Sequence, residues 1–340
     1  AHAGALLACA EMLLSGTTPC CDGYFHEASV AEAVEEAGMR GVLGVGVVDF
    51  QAPGVPDPSE NVRHAERFCR DLAGGSPLIT PSIFCHSPYT CSRETLTRAR
   101  AVAAKLGVLF QIHVAETRSE LERIQAEHQK TPVEYLNALD IVGPGALLAH
   151  CVWVDESDIE TIARRGAAVS ITTESHMKLA SGIAPVPELM AAGIRLGLGT
   201  DGAASNNDLD MFREMDMTAK LHKARLLDPT AMNARDTLTL ATRRGAEAIG
   251  LGEKTGSLEA GKQADIIIIG TRRPHLVPLH APASHVVYAA RGSDVRDVMV
   301  AGRLLVEDRR LLSLDLDAVI ARVRTIGSKI SKKRTRHFTI

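Results

Sequence analysis

Short apolar strands alternate with helical segments along the first 250 residues of this 340-residue chain. The strand segments are near-continuous apolar runs, which are typical of parallel sheets covered by helices on both faces. Several helical segments end at a glycine just before the next strand, as at Gly38, Gly107, Gly166 and Gly193, and such glycines commonly end helices. The predicted strands are TTPCCDGY (17–24), RGVLGVGVVDF (40–50), LITPSIFCHSP (78–88), VLFQIHVAET (108–117), GALLAHCVWVD (145–155), AAVSITTESHMK (167–178) and IRLGLGTDG (194–202).

These strands number seven, one short of the eight in a closed barrel built from strand–helix units. A helical segment over residues 3–15 precedes the first of them, with no strand before it. We therefore expect an α/β fold in which residues 1–250 form a (β/α)8 TIM-type barrel that lacks its first strand. That strand is expected upstream of residue 1.

The pattern changes after about residue 250, where glycine turns separate β-rich runs without long helices between them. This pattern predicts a small β-sandwich domain over residues 251–312, of which only a part is present. A C-terminal helix with a basic tail is expected over residues 313–340.

Composition limits the possible partners. The formal net charge is −3, which does not favour nucleic acid or an anionic membrane as a partner. No apolar run approaches the ~20 residues of a membrane span. The seven cysteines include no C-x-x-C pair, so a reducing cytoplasm is expected rather than a disulfide framework. Apolar residues on the outer helices are compatible with a homo-oligomer.

Polar side chains stand at the carboxyl ends of the predicted strands, where the chemistry of such barrels takes place. A single buried histidine is more often structural. Histidines at the ends of four successive strands are harder to explain in that way, so we expect them to share one site. The residues concerned are His86, His113 with Glu116, His150, Glu174 with His176, and Asp201.

Neutral imidazoles and a carboxylate are the ligands of zinc or a similar divalent ion, and a catalytic site leaves one position for water. Such an ion lowers the pKa of water toward ~7. Glu116 lies just past the strand of His113 and could carry protons, although the two residues have opposite pleat parity. Asp201 could both bind the ion and accept a proton.

Other reaction classes have weaker support. The chain contains neither a G-x-S-x-G elbow nor a P-loop. The segment GLGTDG (197–202) fits G-x-G-x-x-G, but it follows the last barrel strand, and the region ~20 residues further on is helical in pattern. The signature of the cytidine-type zinc deaminases is also absent.

Five motifs resemble the amidohydrolase superfamily, and within it most closely the methylthioadenosine/S-adenosylhomocysteine deaminase branch, near the triazine chlorohydrolases. The likeness extends into GSLEAGKQADIIII and MVAGRLLVED of the β-rich region. It implies a distorted (β/α)8 barrel that holds one zinc ion. The motifs are CHSPYTCS, IHVAET, AHCVWVD, ESHMKLASGIAPVPEL and GLGTDGAASNNDLDMFREM.

The resemblance also implies roles for individual residues. The metal ligands would be His113, Asp201 and a His-x-His pair on the first strand. Glu116 would be the proton shuttle and would contact the purine ring, and His150 would orient the attacking hydroxide. His86 would contact the substrate. No lysine precedes His86 on its strand, which favours one metal ion over two.

Three departures from the family pattern bear on activity. No His-x-His pair is present, so we expect the chain in this form to bind zinc poorly or not at all. Val45 stands near a position where some deaminases place an arginine that contacts the substrate. His176 replaces the usual asparagine before MKLASG, where a structural role and a substrate-binding role remain equally open.

The expected function is zinc-dependent hydrolytic deamination of 5'-methylthioadenosine, S-adenosylhomocysteine or adenosine, with release of ammonia. One alternative keeps the metal chemistry but changes the substrate, as in an s-triazine chlorohydrolase or a guanine-type deaminase. Another is an inactive fragment or scaffold, because the first-strand pair is absent. In each enzymatic alternative the partner is a small heterocyclic molecule.

Overall fold

The computed structural model describes the backbone of residues 1–337 and the side chains of residues 1–331. Seven parallel strands form one curved sheet in chain order, from β1 to β7. This arrangement confirms the predicted α/β fold and all seven predicted strand positions. The strands are β1 (Pro19–Tyr24), β2 (Arg40–Val47), β3 (Ile79–Cys85), β4 (Leu109–Val114), β5 (Ala146–His150), β6 (Ala168–Ile171) and β7 (Arg195–Leu198).

Within residues 1–337 the sheet is open, because β1 pairs only with β2 and β7 only with β6. The register advances evenly around the sheet, and no shift interrupts the pairing of its parallel strands within the described chain. The result is a TIM-type barrel of seven strands with an opening between β1 and β7, as the strand count predicts.

Helices cover the outer face of the sheet and connect its strands. Three short 3₁₀ segments lie at Pro58–Glu60, Pro274–Leu276 and Gly292–Asp294. The α-helices are α1 (His2–Ser15), α2 (Glu27–Ala37), α3 (Asn61–Leu72), α4 (Arg93–Leu106), α5 (Arg118–His128), α6 (Pro132–Ala138), α7 (Glu156–Arg165), α8 (Thr173–Lys178), α9 (Val186–Ala191), α10 (Met211–Leu226), α11 (Ala234–Leu240), α12 (Arg243–Ala248), α13 (Pro282–Tyr288) and α14 (Leu316–His337).

The segment 118–140, which the pattern predicts as one long helical region, is divided into α5 and α6. Gln129 ends α5 in the left-handed region, with φ 55°. Thr131 then caps a new helix through a reciprocal capping box, and Pro132 occupies its first position. Both features begin helices rather than continue them, so the break is encoded locally.

The amino ends of the strands are closed by small apolar clusters. Val42 packs with Ala246 and Leu251, and Leu147 and Ala168 pack with Ala248 of α12. Helix α12 can approach β7 closely because glycines face each other there. A Cβ on Gly197 would lie 3.0 Å from the Cα of Gly245. Because these apolar clusters fill the amino ends, the carboxyl ends of the strands are the ones available for a site.

The C-terminal part contains an antiparallel sheet in the order β11-β10-β9-β8. It confirms the small β region predicted after the barrel, whereas the domain boundaries at 250 and 312 remain predictions. The basic run at 331–337 falls on the end of α14, and its side chains beyond Ser331 lie outside the described residues. The strands are β8 (Ile266–Ile269), β9 (Val295–Val300), β10 (Arg303–Glu307) and β11 (Arg310–Leu311).

A buried ion pair joins this sheet to the barrel. The guanidinium of Arg40, at the start of β2, donates to both carboxylate oxygens of Asp265 at 2.9 and 3.0 Å and to Gln263 at 2.7 Å. The side chains of Arg40 and Asp265 are 1% and 2% exposed. In the described part of the chain, no helix combines the length and apolar character required to cross a bilayer.

Candidate active site

Four imidazoles form a continuous arc at the carboxyl ends of β3 to β6. The ring centroids of His86 and His113 are 5.1 Å apart, as are those of His113 and His150. The ring of His176 follows at 5.2 Å from His150. The four histidines that the sequence places at successive strand ends are therefore neighbours in space.

Glu116 turns toward this arc in spite of its pleat parity. Strand β4 ends at Val114, and Ala115 adopts the left-handed conformation with φ 52°. The turn breaks the alternation of the strand and directs the Glu116 side chain inward. Its Oε2 lies 3.7 Å from Nε2 of His150, and its Oε1 accepts a hydrogen bond from Ser181 at 3.4 Å.

His150 ends β5 in a similar way, with φ 80°, and its side chain is buried. Its Nδ1 lies 3.0 Å from Nε2 of His176 and 3.2 Å from the hydroxyl of Thr172. The same hydroxyl lies 3.0 Å from Nε2 of His176. Because these polar groups occupy Nδ1, the other nitrogen of His150 is the one that faces Glu116.

His176 and Glu174 do not lie on the strand that the sequence predicts for residues 167–178. Strand β6 ends at Ile171, and both residues belong to the short helix α8. His176 reaches the arc, whereas Glu174 accepts a hydrogen bond from Arg213 at 3.2 Å on another side of the helix. A helix places successive side chains about 100° apart, so one short sequence supplies two different environments.

Asp201 follows β7 and also has left-handed backbone, with φ 63°. Its Oδ2 accepts a hydrogen bond from the hydroxyl of Ser175 at 2.7 Å, and its Oδ1 accepts one from the amide of Gly202 at 2.6 Å. These two donors fix the orientation of the carboxylate. Residues held in sparsely populated backbone conformations gather at active sites, and Ala115, His150 and Asp201 follow that rule.

His86 follows β3 and lies at the other end of the arc. Its Nδ1 is 3.0 Å from the hydroxyl of Thr90 and 3.2 Å from that of Ser87. The Tyr89 ring stands edge-on to it with centroids 6.2 Å apart, and Tyr89 is partly exposed at the rim. The position suits a contact with a ligand entering from the rim.

Sequence reasoning missed several polar residues that support these side chains. Ser175, Thr172 and Ser181 contact Asp201, His150 and Glu116, as described above. All three lie within or beside TESHMKLASG, so their place in that motif is the one signal that could have identified them. Below His113, Gln111 donates to Ser82 at 2.7 Å and accepts from Cys21 at 3.2 Å, which forms a polar ladder inside the sheet.

Val45 does not occupy the place expected for a substrate contact. It belongs to the main apolar core with 5% of its surface exposed. The neighbouring Gly44 faces the barrel interior instead, since a Cβ there would lie 2.7 Å from the hydroxyl of Ser82. The period of two along a strand sends Val45 to the opposite face, so Val45 does not line the site.

Electrostatics keep the imidazoles of the arc neutral. Burial, and then the neighbouring His150 and His86, holds the pKa of His113 well below its ordinary value. Burial also lowers the pKa of His150, although Glu116 and Asp201 oppose the shift. Burial and His150 lower the pKa of His176 to about 3. Neutral imidazole has a free lone pair, which is the form that binds a metal ion.

The donor chemistry of the arc fits a divalent ion in part. His113 offers a neutral imidazole and Asp201 a carboxylate, which are both zinc ligands. Among the described residues, however, no three His, Cys, Asp or Glu side chains converge closely enough to hold an ion. An ion at His113 and Asp201 would therefore need further donors from water, substrate or residues beyond the described ones.

Comparison with known proteins places this chain in a family. Residues 1–305 match the amidohydrolase family. The chain belongs to the amidohydrolase family. It is 47% identical over 327 residues to the 5-methylthioadenosine/S-adenosylhomocysteine deaminase of Syntrophobacter fumaroxidans, covering 96% of this chain and 74% of that protein. It is 44% identical to the 5'-deoxyadenosine deaminase of Methanothermobacter thermautotrophicus, covering 92% of this chain and 73% of that protein.

Solved structures agree with this family assignment. An adenosine deaminase from Xanthomonas campestris with bound zinc is 35% identical, with a TM-score of 0.95 over 97% of this chain and 75% of that one. The atrazine chlorohydrolase TrzN from Arthrobacter aurescens, complexed with zinc, has a TM-score of 0.87 over 95% of this chain and 76% of that one. At 24% identity TrzN supports the fold alone. The amidohydrolase resemblance and its deaminase branch are thus confirmed.

Proposed function

We propose that this amidohydrolase removes the amino group of an adenosine-type substrate by hydrolysis and releases ammonia. The substrate class is that of the relatives' names: 5'-methylthioadenosine, S-adenosylhomocysteine, 5'-deoxyadenosine or adenosine. The observation that carries the proposal is the Glu116 carboxylate, which the left-handed turn at Ala115 directs into the histidine arc. A proton carrier at that place is what replacement of an amino group by water requires.

We propose one divalent ion per chain, with His113 and Asp201 as two of its ligands. Zinc in the similar deaminase and chlorohydrolase structures supports this choice of metal. When bound, such an ion makes hydroxide available near neutral pH. Two further histidine ligands are expected from a His-x-His segment outside this sequence.

The chain's own residues would divide the proton transfers among them. Asp201, held by Ser175 and Gly202, would accept a proton from the attacking water and return it to the amino group, which leaves as ammonia. Glu116 would deliver a proton to the ring nitrogen next to the reacting carbon and recover one from the added oxygen as that oxygen becomes a carbonyl. His150 directs its Nε2 toward the attacking oxygen, and His176 with Thr172 fixes the opposite nitrogen.

Substrate contacts are the remaining part of the proposal. His86 and Glu116 would contact the purine, and the contact of His176 with substrate stays a prediction because its Nε2 is directed at His150. A cytoplasmic location and a homo-oligomeric state are likewise proposals.

The test combines metal analysis with product analysis. Zinc per chain is measured on the 340-residue form and on a form extended upstream of Ala1, and each is assayed for ammonia from 5'-methylthioadenosine. We expect zinc and ammonia from the extended form. Chloride release from a chlorotriazine without ammonia from any adenosine derivative would contradict the deaminase proposal. Absence of metal and turnover from both forms would favour the scaffold alternative.

A further inference from the structure

Two buried glutamates lie behind the site and have the same geometry. Glu120, in the first turn of α5, is 4% exposed. Its Oε1 accepts the amide of Ala115 at 2.7 Å and its Oε2 accepts the amide of Glu116 at 3.0 Å. An ordinary capping box would use the amide of the N-cap residue Thr117. The carboxylate of Glu120 reaches further back, to the two residues that form the left-handed turn.

This contact determines where Glu116 points. Left-handed backbone is unfavourable for alanine, so the turn at Ala115 needs partners that hold it. Two successive amides donating to one carboxylate supply such partners from one side. On the other side, the carbonyl of Ala115 accepts the amides of Val152 and Trp153 at 3.0 and 2.8 Å. Without the turn, the pleat parity of β4 would direct Glu116 away from His113.

Glu214 repeats the arrangement at the end of β6. It lies on α10 and has no exposed surface. One of its carboxylate oxygens accepts the amide of Thr173, and the other accepts the amide of Glu174 at 3.2 Å. These amides open the short helix α8, whose N-cap residue Thr172 provides no side-chain cap. Glu214 therefore caps α8 from a different helix.

Helix α8 carries the two side chains that hold the other half of the site. Ser175 donates to Asp201 at 2.7 Å, and His176 lies 3.0 Å from Nδ1 of His150. Both follow directly after the amides that Glu214 binds. A six-residue helix has little stability of its own, so its position depends on such tertiary contacts.

We propose that Glu120 and Glu214 are positioning residues of this site, each binding two successive amides with one carboxylate. Glu120 holds Glu116 in the histidine arc, and Glu214 holds Ser175 and His176 against Asp201 and His150. The part that concerns turnover rests on the proposed deaminase function, whereas the geometric part does not. Neither glutamate touches the reacting centre.

Isosteric glutamine variants test the geometry. Glutamine has a single acceptor oxygen, which can serve only one of the two backbone amides. Its NH₂ group then faces the N–H of the second amide, and two donors cannot form a hydrogen bond. In Glu120→Gln we expect the amides of residues 115–116 to exchange about 10- to 100-fold faster, since loss of the acceptor of a buried amide costs such a factor. In Glu214→Gln the same increase should appear at residues 173–174. Each variant should leave the other segment unchanged.

Asp158→Asn is the matched control. Asp158 is a buried acid that caps α7, accepting from Thr131 at 2.5 Å and from the amide of Asp155 at 3.4 Å. This variant should lose stability without faster exchange at either site segment. Unchanged exchange in both glutamine variants, or equal changes in all three, would overturn the proposal. If Glu120→Gln does not fold, Glu120→Asp displaces the charge by one methylene and permits the same comparison.

Kinetics of double variants separate positioning from general stability. In the form extended upstream of Ala1, Glu120→Gln should lower kcat by about 10²-fold, the effect of a misplaced catalytic group. On a Glu116→Gln background it should cause no further loss, because Glu120 acts through Glu116. Glu214→Gln should still lower kcat on that background. Equal losses on both backgrounds would contradict a positioning role for Glu120. A wild type that releases no ammonia contradicts the proposed function, and amide exchange still decides the geometry.

Discussion

The two ends of the barrel use the same strands in different ways. At the carboxyl ends, Ala115, His150 and Asp201 have left-handed backbone, and the side chains of Glu116 and His150 face each other. At the amino ends, small apolar clusters and the Arg40–Asp265 pair fill the interior, and both carboxylate oxygens of Asp265 accept hydrogen bonds. The polar side chains of the site thus lie at the end where chemistry is expected, and the opposite end provides stability.

Two buried carboxylates illustrate the difference. Asp265, at the amino end, accepts hydrogen bonds from Arg40 and from the amide of Ala301 at 2.8 Å. Glu27 follows β1 at the carboxyl end and is fully buried, and neither of its oxygens has a hydrogen-bond partner among residues 1–337. A buried acid without a partner is costly. The comparison predicts opposite effects when each acid is neutralised.

The largest effect is expected from Asp201→Ala. In the form extended upstream of Ala1, removal of this carboxylate eliminates both a metal ligand and the proton acceptor, so metal content should fall and kcat should drop by about 10⁴-fold or more. Zinc analysis and ammonia release measure the two losses. Asp140→Asn, at an exposed acid paired with Arg165, is the control and should change neither. If the Asp201→Ala variant retained metal and turnover, Asp201 would be neither a metal ligand nor the proton acceptor.

In the form extended upstream of Ala1, Glu116→Gln should lower kcat by about 10²–10⁴-fold, the usual contribution of a positioned acid or base. Metal content should stay unchanged, because Glu116 is not among the proposed ligands. Steady-state kinetics beside zinc analysis distinguish this result from that of Asp201→Ala. An intact rate would show that the proton-shuttle assignment is wrong.

At the amino end, Asp265→Asn should lower the free energy of unfolding by about 3–5 kcal/mol, because it leaves the Arg40 charge buried without its partner. Chemical denaturation measures the change. The value of kcat should stay the same at temperatures where the variant is folded. The double change Arg40→Met with Asp265→Leu is the control and should recover most of the stability. Loss of kcat in folded Asp265→Asn would contradict the division between the two ends.

The smallest effect is expected from Glu27→Gln. Burial, with a further contribution from Asp22, raises the pKa of Glu27 to about 9 from an ordinary 4.5. Between pH 4.5 and about 9 the folded state therefore keeps the Glu27 proton while the unfolded state loses it. The free energy of unfolding of the wild type falls as the pH rises through this range. Glutamine does not titrate, so the variant does not show this fall. Its advantage in unfolding free energy should grow by at least about 1.4 kcal/mol between pH 5 and 8, the free energy of one pKa unit. Parallel stability curves would contradict the pKa of Glu27.

The sequence predicted which strand ends contribute residues to the candidate site, but it did not predict how their side chains are oriented. His86, His113, His150 and Asp201 lie where the strand pattern places them, because the carboxyl ends of parallel strands meet at one edge. The interpretation of residues 167–178 as a strand was wrong after Ile171, since a turn and the six residues of α8 replace it. The face of β2 on which Val45 lies depends on register, which a local motif does not determine.

The sequence by itself determined the alternation of strands and helices, the helix-ending glycines and the family motifs, since these depend on neighbouring residues and on a periodic pattern. Only the tertiary structure decided that Glu116 faces the arc, because that direction depends on a left-handed alanine held by Glu120 and by the loop after β5. It also decided the position of α8, whose opening amides are bound by a glutamate some 40 residues later in the chain. Such contacts join segments whose proximity exists only once the chain is folded.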